Sequence, residues 1–130
     1  MIVVDTNVLV HLHLSDEGKD VASAEALLAS DPDWVAPVLW RSEFRNALAM
    51  QLRCGSLTLG QALRSQEEAE DLMSGSEYDV DSGTVLRLAQ TSGCSAYDCE
   101  YVALAKRLGA RLVTLDDQIL HAFPEVADRL

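Results

Sequence analysis

Short apolar runs alternate with longer amphipathic segments along this chain. β-Branched and aliphatic residues fill positions 2–4 and 112–115, and such runs are typical of strands that a parallel sheet buries on both faces. Weaker strand signals cover positions 34–36 and 78–80, and the segment after Asp117 fits either a short helix or an edge strand. These positions predict a sheet of four to five short strands.

Apolar residues at helical spacing fill the segments between these strands. Pro37 suits the first position of the third helix and Gly55 its end, while Thr58 with Gln61 forms a capping-box pattern. Because helices and strands alternate, we expect an α/β fold whose short, mainly parallel sheet carries helices on both faces. The predicted helices cover residues 7–14, 21–30, 38–53, 59–73, 83–92 and 96–108.

Composition narrows the class of protein. The 130 residues are 48% hydrophobic, which is enough to bury a core in one domain spanning residues 1–130. The three cysteines lack paired spacing, so they predict neither a disulfide framework nor a zinc ribbon. No apolar stretch approaches the ~20 residues that a membrane span needs, and the apolar opening has no basic leader. We therefore expect a cytoplasmic protein.

Two aspartates follow the two clearest strand signals. Asp5 comes directly after residues 2–4, and Asp116 directly after residues 112–115. Open α/β sheets bind ligands at the carboxyl ends of their strands, so both are candidate site residues, although Asp5 alone fits a helix cap equally well. Strand alternation puts Thr114 on the same side as Asp116, whereas Asp117 points elsewhere and suits a cap for the following turn.

Two further acids lie on predicted helices. Glu43 has mostly apolar neighbours at helical spacing and no basic residue three or four positions away, so it needs a distant partner or a place at the edge of a pocket. Asp98 fits a capping box with Ser95, yet it also continues an apolar stripe through Tyr101, which predicts an inward side chain while Glu100 faces solvent. The capping role and a site role of Asp98 can coexist.

A cluster of carboxylates predicts a hard cation, because the acids repel one another unless a cation neutralises them or their pKa values rise. Oxygen ligands favour Mg²⁺ or Mn²⁺, whereas three histidines and unpaired cysteines disfavour zinc. Such a site suits phosphodiester hydrolysis, in which metal ions activate water and stabilise the leaving oxygen. Spacing alone is a weak signal in a chain with 21 acidic residues.

Four segments carry a family signature: IVVDTNVLV at 2–10, EFRNAL at 43–48, YDCEYVALA at 97–105 and LVTLD at 112–116. Together they resemble the PIN-domain ribonucleases, and among these the VapC-type toxins. The resemblance spans essentially the whole chain, with the segments in the family's order and at its usual separations. It implies a PIN-like fold with a central parallel sheet between two helical layers.

The resemblance also implies a function. Family members are Mg²⁺- or Mn²⁺-dependent endoribonucleases that hydrolyse phosphodiester bonds in RNA, so the expected substrate is RNA such as tRNA or rRNA. As the toxin of a type II toxin–antitoxin pair, the protein is expected to form a homodimer and to bind a cognate antitoxin, whose basic and apolar segment covers the acidic groove. The matching catalytic and metal-binding residues are Asp5, Glu43, Asp98 and Asp116, with Asn7 and Thr114 in supporting positions.

The charge balance complicates this expectation. A net charge of −11 argues against a protein that coats nucleic acid with a basic surface, although bound divalent ions would add positive charge where phosphate docks. Arg41 and Arg45 form a like-charged pair at i,i+4 and are candidate RNA contacts, with solvated surface as the simpler interpretation. The basic cluster at Lys106, Arg107 and Arg111 is interpreted as a solvated helix end.

Two other function classes stay open at this point. A catalytically silent PIN-like protein-interaction domain would keep the fold and act through its partner surface, but the complete acidic set argues against it. A receiver-like or phosphatase domain also places acids at strand ends. It is disfavoured because Asn7 stands where such phosphatases carry the second Asp of a D-x-D motif.

Overall fold

The computed structural model describes residues 1–15 and 17–130, and its centre is a parallel sheet of five strands. The strands lie in the order β3-β2-β1-β4-β5, and every neighbouring pair is parallel. The predicted α/β class, with four to five mainly parallel strands, is confirmed. The strands are β1 (Ile2–Val4), β2 (Trp34–Pro37), β3 (Glu77–Tyr78), β4 (Arg111–Thr114) and β5 (Ala127–Arg129).

Helices cover both faces of this sheet. Helix α1 contacts α2, α3 and α4, while α5 packs on α6, which lies across β1, β2 and β4. The strand order explains the two layers, because the chain moves in one direction from β1 to β3 and in the other from β3 to β5, and the right-handed crossovers usual in parallel sheets then place the connecting helices on opposite faces. In the described ranges the helices are α1 (Thr6–Leu14), α2 (Lys19–Ser30), α3 (Trp40–Arg53), α4 (Leu59–Leu72), α5 (Ser82–Ser92), α6 (Ala96–Leu108) and α7 (Asp117–Ala122). None of these helices has the length and apolarity to cross a membrane.

Pro37 ends a strand, so its prediction as the first residue of a helix is wrong. It pairs with Tyr78, and the flanking residues Ala36 and Val38 donate backbone hydrogen bonds to the carbonyls of Ser76 and Tyr78. The nitrogen of Pro37 therefore faces β1, where pairing with β2 ends at Val35, and a missing N–H costs nothing there. Helix α3 begins at Trp40 instead.

Other local predictions have mixed outcomes. The Thr58 capping box is present with both hydrogen bonds, and Gly55 follows α3 with a φ of 79°. The strand predicted at positions 78–80 lies at Glu77–Tyr78. The sequence predicts either a short helix or an edge strand after Asp117. The structure has both, the short helix α7 and the edge strand β5.

The register of the sheet places the carboxyl ends of β1 and β4 side by side. Val4 of β1 pairs with Val113 of β4, and the backbone N–H of Asp5 donates to the Val113 carbonyl at 3.0 Å. The chain leaves β1 toward β2 on one side, while β4 lies on the other side. The carboxyl ends of β1 and β4 therefore flank the switch point of the sheet, the place where open α/β folds bind ligands.

Candidate active site

Asp5 is buried directly beyond the end of β1, with 8% of its surface exposed. Two neutral groups donate to its Oδ2 atom: Thr114 Oγ1 at 2.6 Å and Asn7 Nδ2 at 3.1 Å. Although Asp5 occupies the N-cap position of α1, its side chain makes no capping hydrogen bond. The carboxylate is therefore directed to the strand ends.

Asn7 and Thr114 connect the ends of β1 and β4. The Asn7 Oδ1 atom accepts from the backbone N–H of Leu115 at 3.2 Å, and Thr114 Oγ1 accepts from the backbone N–H of Asp116 at 2.9 Å. Thr114 is fully buried, so its hydroxyl must find its partners inside the protein. Both residues thus donate hydrogen bonds to Asp5, and their supporting role in a site stays a prediction.

Glu43 reaches the same region from the first turn of α3. Its Oε1 atom accepts from Tyr101 Oη at 2.5 Å and lies 3.1 Å from Thr6 Oγ1, and these two hydroxyl oxygens lie 2.5 Å apart. Among the described residues no Lys, Arg or His forms a salt bridge with Glu43. The partners required by its half-buried position are two neutral hydroxyl groups.

Asp98 enters from the first turn of α6 and is half-buried. Its backbone N–H donates to Ser95 Oγ at 3.1 Å, which confirms the predicted cap. The side chain stays close enough to Asp5 for its charge to act on that carboxylate. The backbone of Asp98 thus serves the helix, while its carboxylate adds negative charge to the site.

The electrostatics of Asp5 show that three acids share this region. Burial raises the pKa of the Asp5 carboxyl from 3.8 to about 6, and the charges of Glu43 and Asp98 add to the rise, while the hydrogen bond from Thr114 opposes it. A raised pKa means that the ionised form is destabilised. Within residues 1–15 and 17–130, no cation forms a salt bridge with any of these three carboxylates.

Asp116 caps α7, a role that the sequence assigned to Asp117. The Asp116 Oδ1 atom accepts from the backbone N–H groups of Gln118 at 2.8 Å and Ile119 at 3.1 Å. The prediction for Asp117 is wrong because the helix begins at Asp117 itself, which leaves Asp116 as the N-cap. The Asp117 carboxylate forms a salt bridge with Arg129. Thr114 links the backbone of Asp116 to the Asp5 carboxylate, while the Asp116 carboxylate itself is occupied in capping α7.

The donor set fits a hydrated hard cation better than a preformed metal cage. No three His, Cys, Asp or Glu side chains in the described parts of the chain lie close enough together to hold a metal directly. However, Mg²⁺ usually keeps several waters and takes only one or two carboxylates from a protein. All four predicted ligands are carboxylates, and the uncompensated burial of Asp5 favours a positive charge nearby.

Sequence reasoning missed three residues at this site. Thr6 and Tyr101 are the hydroxyl partners of Glu43, and the available signal was that a buried Tyr usually needs a hydrogen-bond partner for its hydroxyl. Glu100, predicted to face solvent, is half-buried, and burial followed by the charge of Glu43 raises its pKa. No local pattern predicts that proximity, because Glu43 lies on a different helix.

An open groove adjoins Glu43 on its outer side, with a volume of about 570 Å³. Its walls combine apolar side chains with the Glu43 carboxylate, and two of those side chains are largely exposed: Met50 at 59% and Tyr97 at 63%. The groove therefore pairs apolar surface with negative charge. We call it the Glu43 groove, and its lining residues are Leu39, Ser42, Glu43, Asn46, Ala47, Met50 and Tyr97.

Arg41 forms salt bridges within the protein, and its choice as a candidate RNA contact stays a prediction. Its guanidinium contacts both carboxylate oxygens of Glu77, at 2.5 and 2.9 Å, and one oxygen of Glu70 at 3.1 Å. Trp40 Nε1 donates to the same Glu77 at 2.7 Å. Arg45 lies on the exposed side of α3, and its Nε donates to the Arg41 carbonyl. Of the candidate pair, only Arg45 keeps an exposed cation.

The second basic cluster also contacts protein groups. Lys106 forms a salt bridge with Glu125 at 3.4 Å, and Arg107 donates to the Asp79 carbonyl at 2.9 Å. Arg111 contacts the Asp128 carboxylate. Arg111 lies at the start of β4 rather than on the helix, so the interpretation as one solvated helix end describes only Lys106 and Arg107.

Comparison with known proteins identifies the family. Ribonuclease VapC3 of Pyrobaculum aerophilum is 29% identical over 126 residues, which are 95% of this chain and 95% of that protein. The crystal structure of PAE2754 from Pyrobaculum aerophilum superposes with a TM-score of 0.77 at 23% identity, over 98% of this chain and 82% of that one. The structure of FitAB bound to the IR36 DNA fragment gives a TM-score of 0.70 at 21% identity, over 99% and 94%. A family model described as PIN domain matches residues 2–127, and the chain therefore belongs to the PIN domain family.

Proposed function

We propose that this protein is a divalent-metal-dependent endoribonuclease that hydrolyses phosphodiester bonds in RNA. The observation that carries the proposal is the burial of Asp5 beside Glu43 and Asp98, which raises the pKa of Asp5 to about 6. A fold that buries acids together loses stability unless a cation joins them. The similarity to a protein named as a ribonuclease supports the same reaction class.

Each acidic residue has a stated task in this proposal. Asp5, Glu43, Asp98 and Asp116 would hold Mg²⁺ or Mn²⁺, which when bound supplies an activated water and neutralises charge on the phosphate. Asn7 and Thr114 donate to one oxygen of Asp5 and so orient its carboxylate and favour its ionised form.

A net charge of −11 repels the phosphate backbone of RNA and so opposes RNA binding. Without metal, the acids at the strand ends would repel the phosphate backbone, and of the two candidate arginines on α3 only Arg45 stays exposed. RNA binding should therefore depend on divalent ions as strongly as cleavage does. We infer cytoplasmic tRNA or rRNA as the substrate, because the resemblance to VapC-type toxins carries that expectation.

We also infer that the protein is the toxin of a type II toxin–antitoxin pair. The Glu43 groove has apolar walls and one carboxylate, so it suits a peptide segment that presents apolar side chains together with a cation. An antitoxin seated there would cover Glu43 and block the site. The family resemblance further implies a homodimer, which sedimentation of the purified protein tests directly.

The deciding experiment uses protein freed of any partner under denaturing conditions and then refolded. Cleavage of tRNA, rRNA and a synthetic single strand is measured with Mg²⁺, with Mn²⁺ and with a chelator, for the wild type and for Asp5→Asn. Asp71→Asn is the matched control, since Asp71 is an exposed acid on α4 away from the strand ends. We expect cleavage only with metal, its loss in Asp5→Asn and its retention in Asp71→Asn.

The catalytically silent alternative predicts a different set of results. A pure interaction domain would bind its neighbouring protein tightly, yet show neither cleavage nor a rise in melting temperature on adding Mg²⁺ or Mn²⁺. That pair of negative results, obtained with folded protein, would refute the nuclease proposal.

A further inference from the structure

Two buried hydroxyl groups hold one oxygen of Glu43. Thr6 and Tyr101 are 6% and 1% exposed, and their oxygens lie 3.1 Å and 2.5 Å from Glu43 Oε1. They come from α1 and α6, while Glu43 comes from α3. Three helices that are distant in sequence therefore meet at a single carboxylate oxygen.

The three contacts share only two hydroxyl protons. Both 2.5 Å contacts are satisfied when Thr6 donates to Tyr101 and Tyr101 donates to Glu43. A neutral phenol can donate its single proton to Glu43 while its oxygen accepts from Thr6. Thr6 lies near enough to Glu43 to donate directly if the phenol is absent.

The choice of hydroxyl partners matters for a cation-binding role. An Arg or Lys at this position would neutralise Glu43 and compete with a metal ion, whereas a hydroxyl orients the carboxylate and leaves its negative charge in place. Glu43 also borders the open Glu43 groove, where a long side chain without partners would sample several rotamers.

We propose that Thr6 and Tyr101 are positioning residues that fix Glu43 Oε1, so that Oε2 is presented to a divalent ion. The inference rests on the proposed function, because it takes Glu43 to be a metal ligand. Either hydroxyl can serve as the hydrogen-bond donor to Glu43 when the other is removed. Losing either one leaves Glu43 with one donor, and only the loss of both releases the carboxylate.

The test is a double-mutant cycle read out as metal affinity. Binding of Mn²⁺ to metal-free protein is titrated for the wild type, Thr6→Val, Tyr101→Phe and the double variant. Tyr78→Phe is the matched control, because Tyr78 lies under Arg107 and its hydroxyl makes none of the hydrogen bonds found among the described residues. Thr6→Ser in the Tyr101→Phe background keeps the hydroxyl that Thr6→Val removes in the double variant.

We expect each single variant to weaken Mn²⁺ binding about 2- to 3-fold, and the double variant to weaken it by ~10-fold or more, the range seen when groups that orient metal ligands are removed. Thr6→Ser should keep the affinity of the Tyr101→Phe variant near that of the single substitution. In cleavage assays the metal concentration for half-maximal rate should rise while kcat at saturating Mn²⁺ changes little. If the two hydroxyls only stabilise the fold, the variants should have a lower unfolding midpoint, and the metal concentration for half-maximal rate should not rise independently of kcat.

Glu43→Gln separates failure of this inference from failure of the proposed function. If Glu43→Gln loses Mn²⁺ affinity but the folded double variant does not, the positioning role is refuted and the nuclease proposal stands. If Glu43→Gln binds Mn²⁺ as tightly as the wild type, Glu43 is no ligand and both proposals fail. Full loss in Tyr101→Phe alone would refute the shared role of Thr6. Should Thr6→Val prevent folding of the double variant, Thr6→Ala removes the same hydroxyl without a misplaced methyl group.

Discussion

Thr114 donates a hydrogen bond of 2.6 Å from its Oγ1 atom to the Oδ2 atom of Asp5, a residue 109 positions earlier in the chain. The bond joins the carboxyl ends of two neighbouring parallel strands and favours the ionised form of Asp5. Burial acts in the opposite direction and is the larger effect, because the pKa of Asp5 still rises to about 6. The site therefore holds a carboxylate that is oriented for a cation and destabilised without one.

The first prediction concerns the stability of the metal-free protein. Between pH 3.8 and about 6 the folded protein retains a proton on Asp5 that the unfolded chain releases, so stability falls as pH rises through this window. The cost of ionising Asp5 is fully present above it and amounts to about 3 kcal/mol at most. We expect Asp5→Asn to be more stable than the wild type by about 1–3 kcal/mol at pH 8 in chelator, with the difference shrinking toward pH 4.

Urea unfolding followed by circular dichroism at several pH values measures this difference. Asp71→Asn, an exposed substitution, should show no such pH dependence relative to the wild type. Adding Mg²⁺ at pH 8 should stabilise the wild type and narrow the gap, because a ligand that binds only the folded state adds stability. An Asp5→Asn variant less stable than the wild type at pH 8 would contradict the interpretation of Asp5 as an unfavourably buried charge.

The central strands could be predicted from the sequence, whereas the outer ones could not be placed well. Strands β1 and β4 are buried on both faces and so contain continuous apolar runs. Strand β3 has only two residues and β5 exposes two of its three, so neither produces a clear apolar pattern. Pro37 was misplaced because a residue that suits a helix start also suits a strand end where no N–H is needed.

The candidate site shows the same division between local and long-range information. Asp5 and Asp116 follow strands, and their strand-end position is visible in the sequence. The choice of helix cap between Asp116 and Asp117 depended on the exact start of α7, which local patterns fix only to within a residue or two. The contacts of Tyr101 with Glu43 and of Arg41 with Glu77 span 58 and 36 positions. No periodicity encodes such pairs, because they depend on how the helices are packed.

The second prediction separates the two roles of Asp116. Asp116→Asn keeps an oxygen that can accept from Gln118 and Ile119, so α7 stays capped while the carboxylate charge is lost. Asp116→Ala loses both the capping oxygen and the carboxylate charge, and its unfolding free energy should fall by about 0.5–2 kcal/mol. We expect both variants to lose metal-dependent cleavage at least 10-fold and only Asp116→Ala to lose stability.

Asp117→Ala is the neighbouring control for this pair. Its salt bridge with Arg129 is exposed, so the substitution should cost little stability and leave cleavage near the wild-type rate. Equal activity of Asp116→Asn and the wild type would remove Asp116 from the catalytic set and restrict its role to capping.

The third prediction compares two arginines one helical turn apart. Arg41 contacts Glu77 and Glu70, and its side chain is 33% exposed, so Arg41→Ala should lower the unfolding free energy by about 1–2 kcal/mol. Arg45→Ala also removes one positive charge from α3, but Arg45 makes only one hydrogen bond, to the Arg41 carbonyl. The unfolding free energy should therefore change by no more than about 0.5 kcal/mol. RNA affinity at low salt should fall more in Arg45→Ala than in Arg41→Ala. A larger loss of RNA affinity in a folded Arg41→Ala variant than in Arg45→Ala would return Arg41 to the RNA-binding surface.

The fourth prediction concerns the partner that covers the Glu43 groove. Met50 is 59% exposed on its wall, and Met50→Gln would replace apolar contact with a neutral polar group, so that no new charge confuses the result. We expect the affinity for the cognate antitoxin to fall at least 10-fold if Met50 is a central anchor of the interface, since truncating such an anchor costs about 2 kcal/mol or more. Leu86 on α5 is 64% exposed and lies outside the groove, so Leu86→Gln is the matched control.

Titration calorimetry with the purified antitoxin measures both variants, and sedimentation of each alone shows whether the substitution has changed self-association. The chemistry of the groove also predicts which antitoxin change compensates. Because Glu43 supplies the only charge among the lining residues, replacing the antitoxin cation that approaches it should weaken binding to the wild type but not further weaken binding to Glu43→Gln. If Leu86→Gln and not Met50→Gln released the antitoxin, the covering segment would lie on α5, and inhibition would have to act at a distance from Glu43.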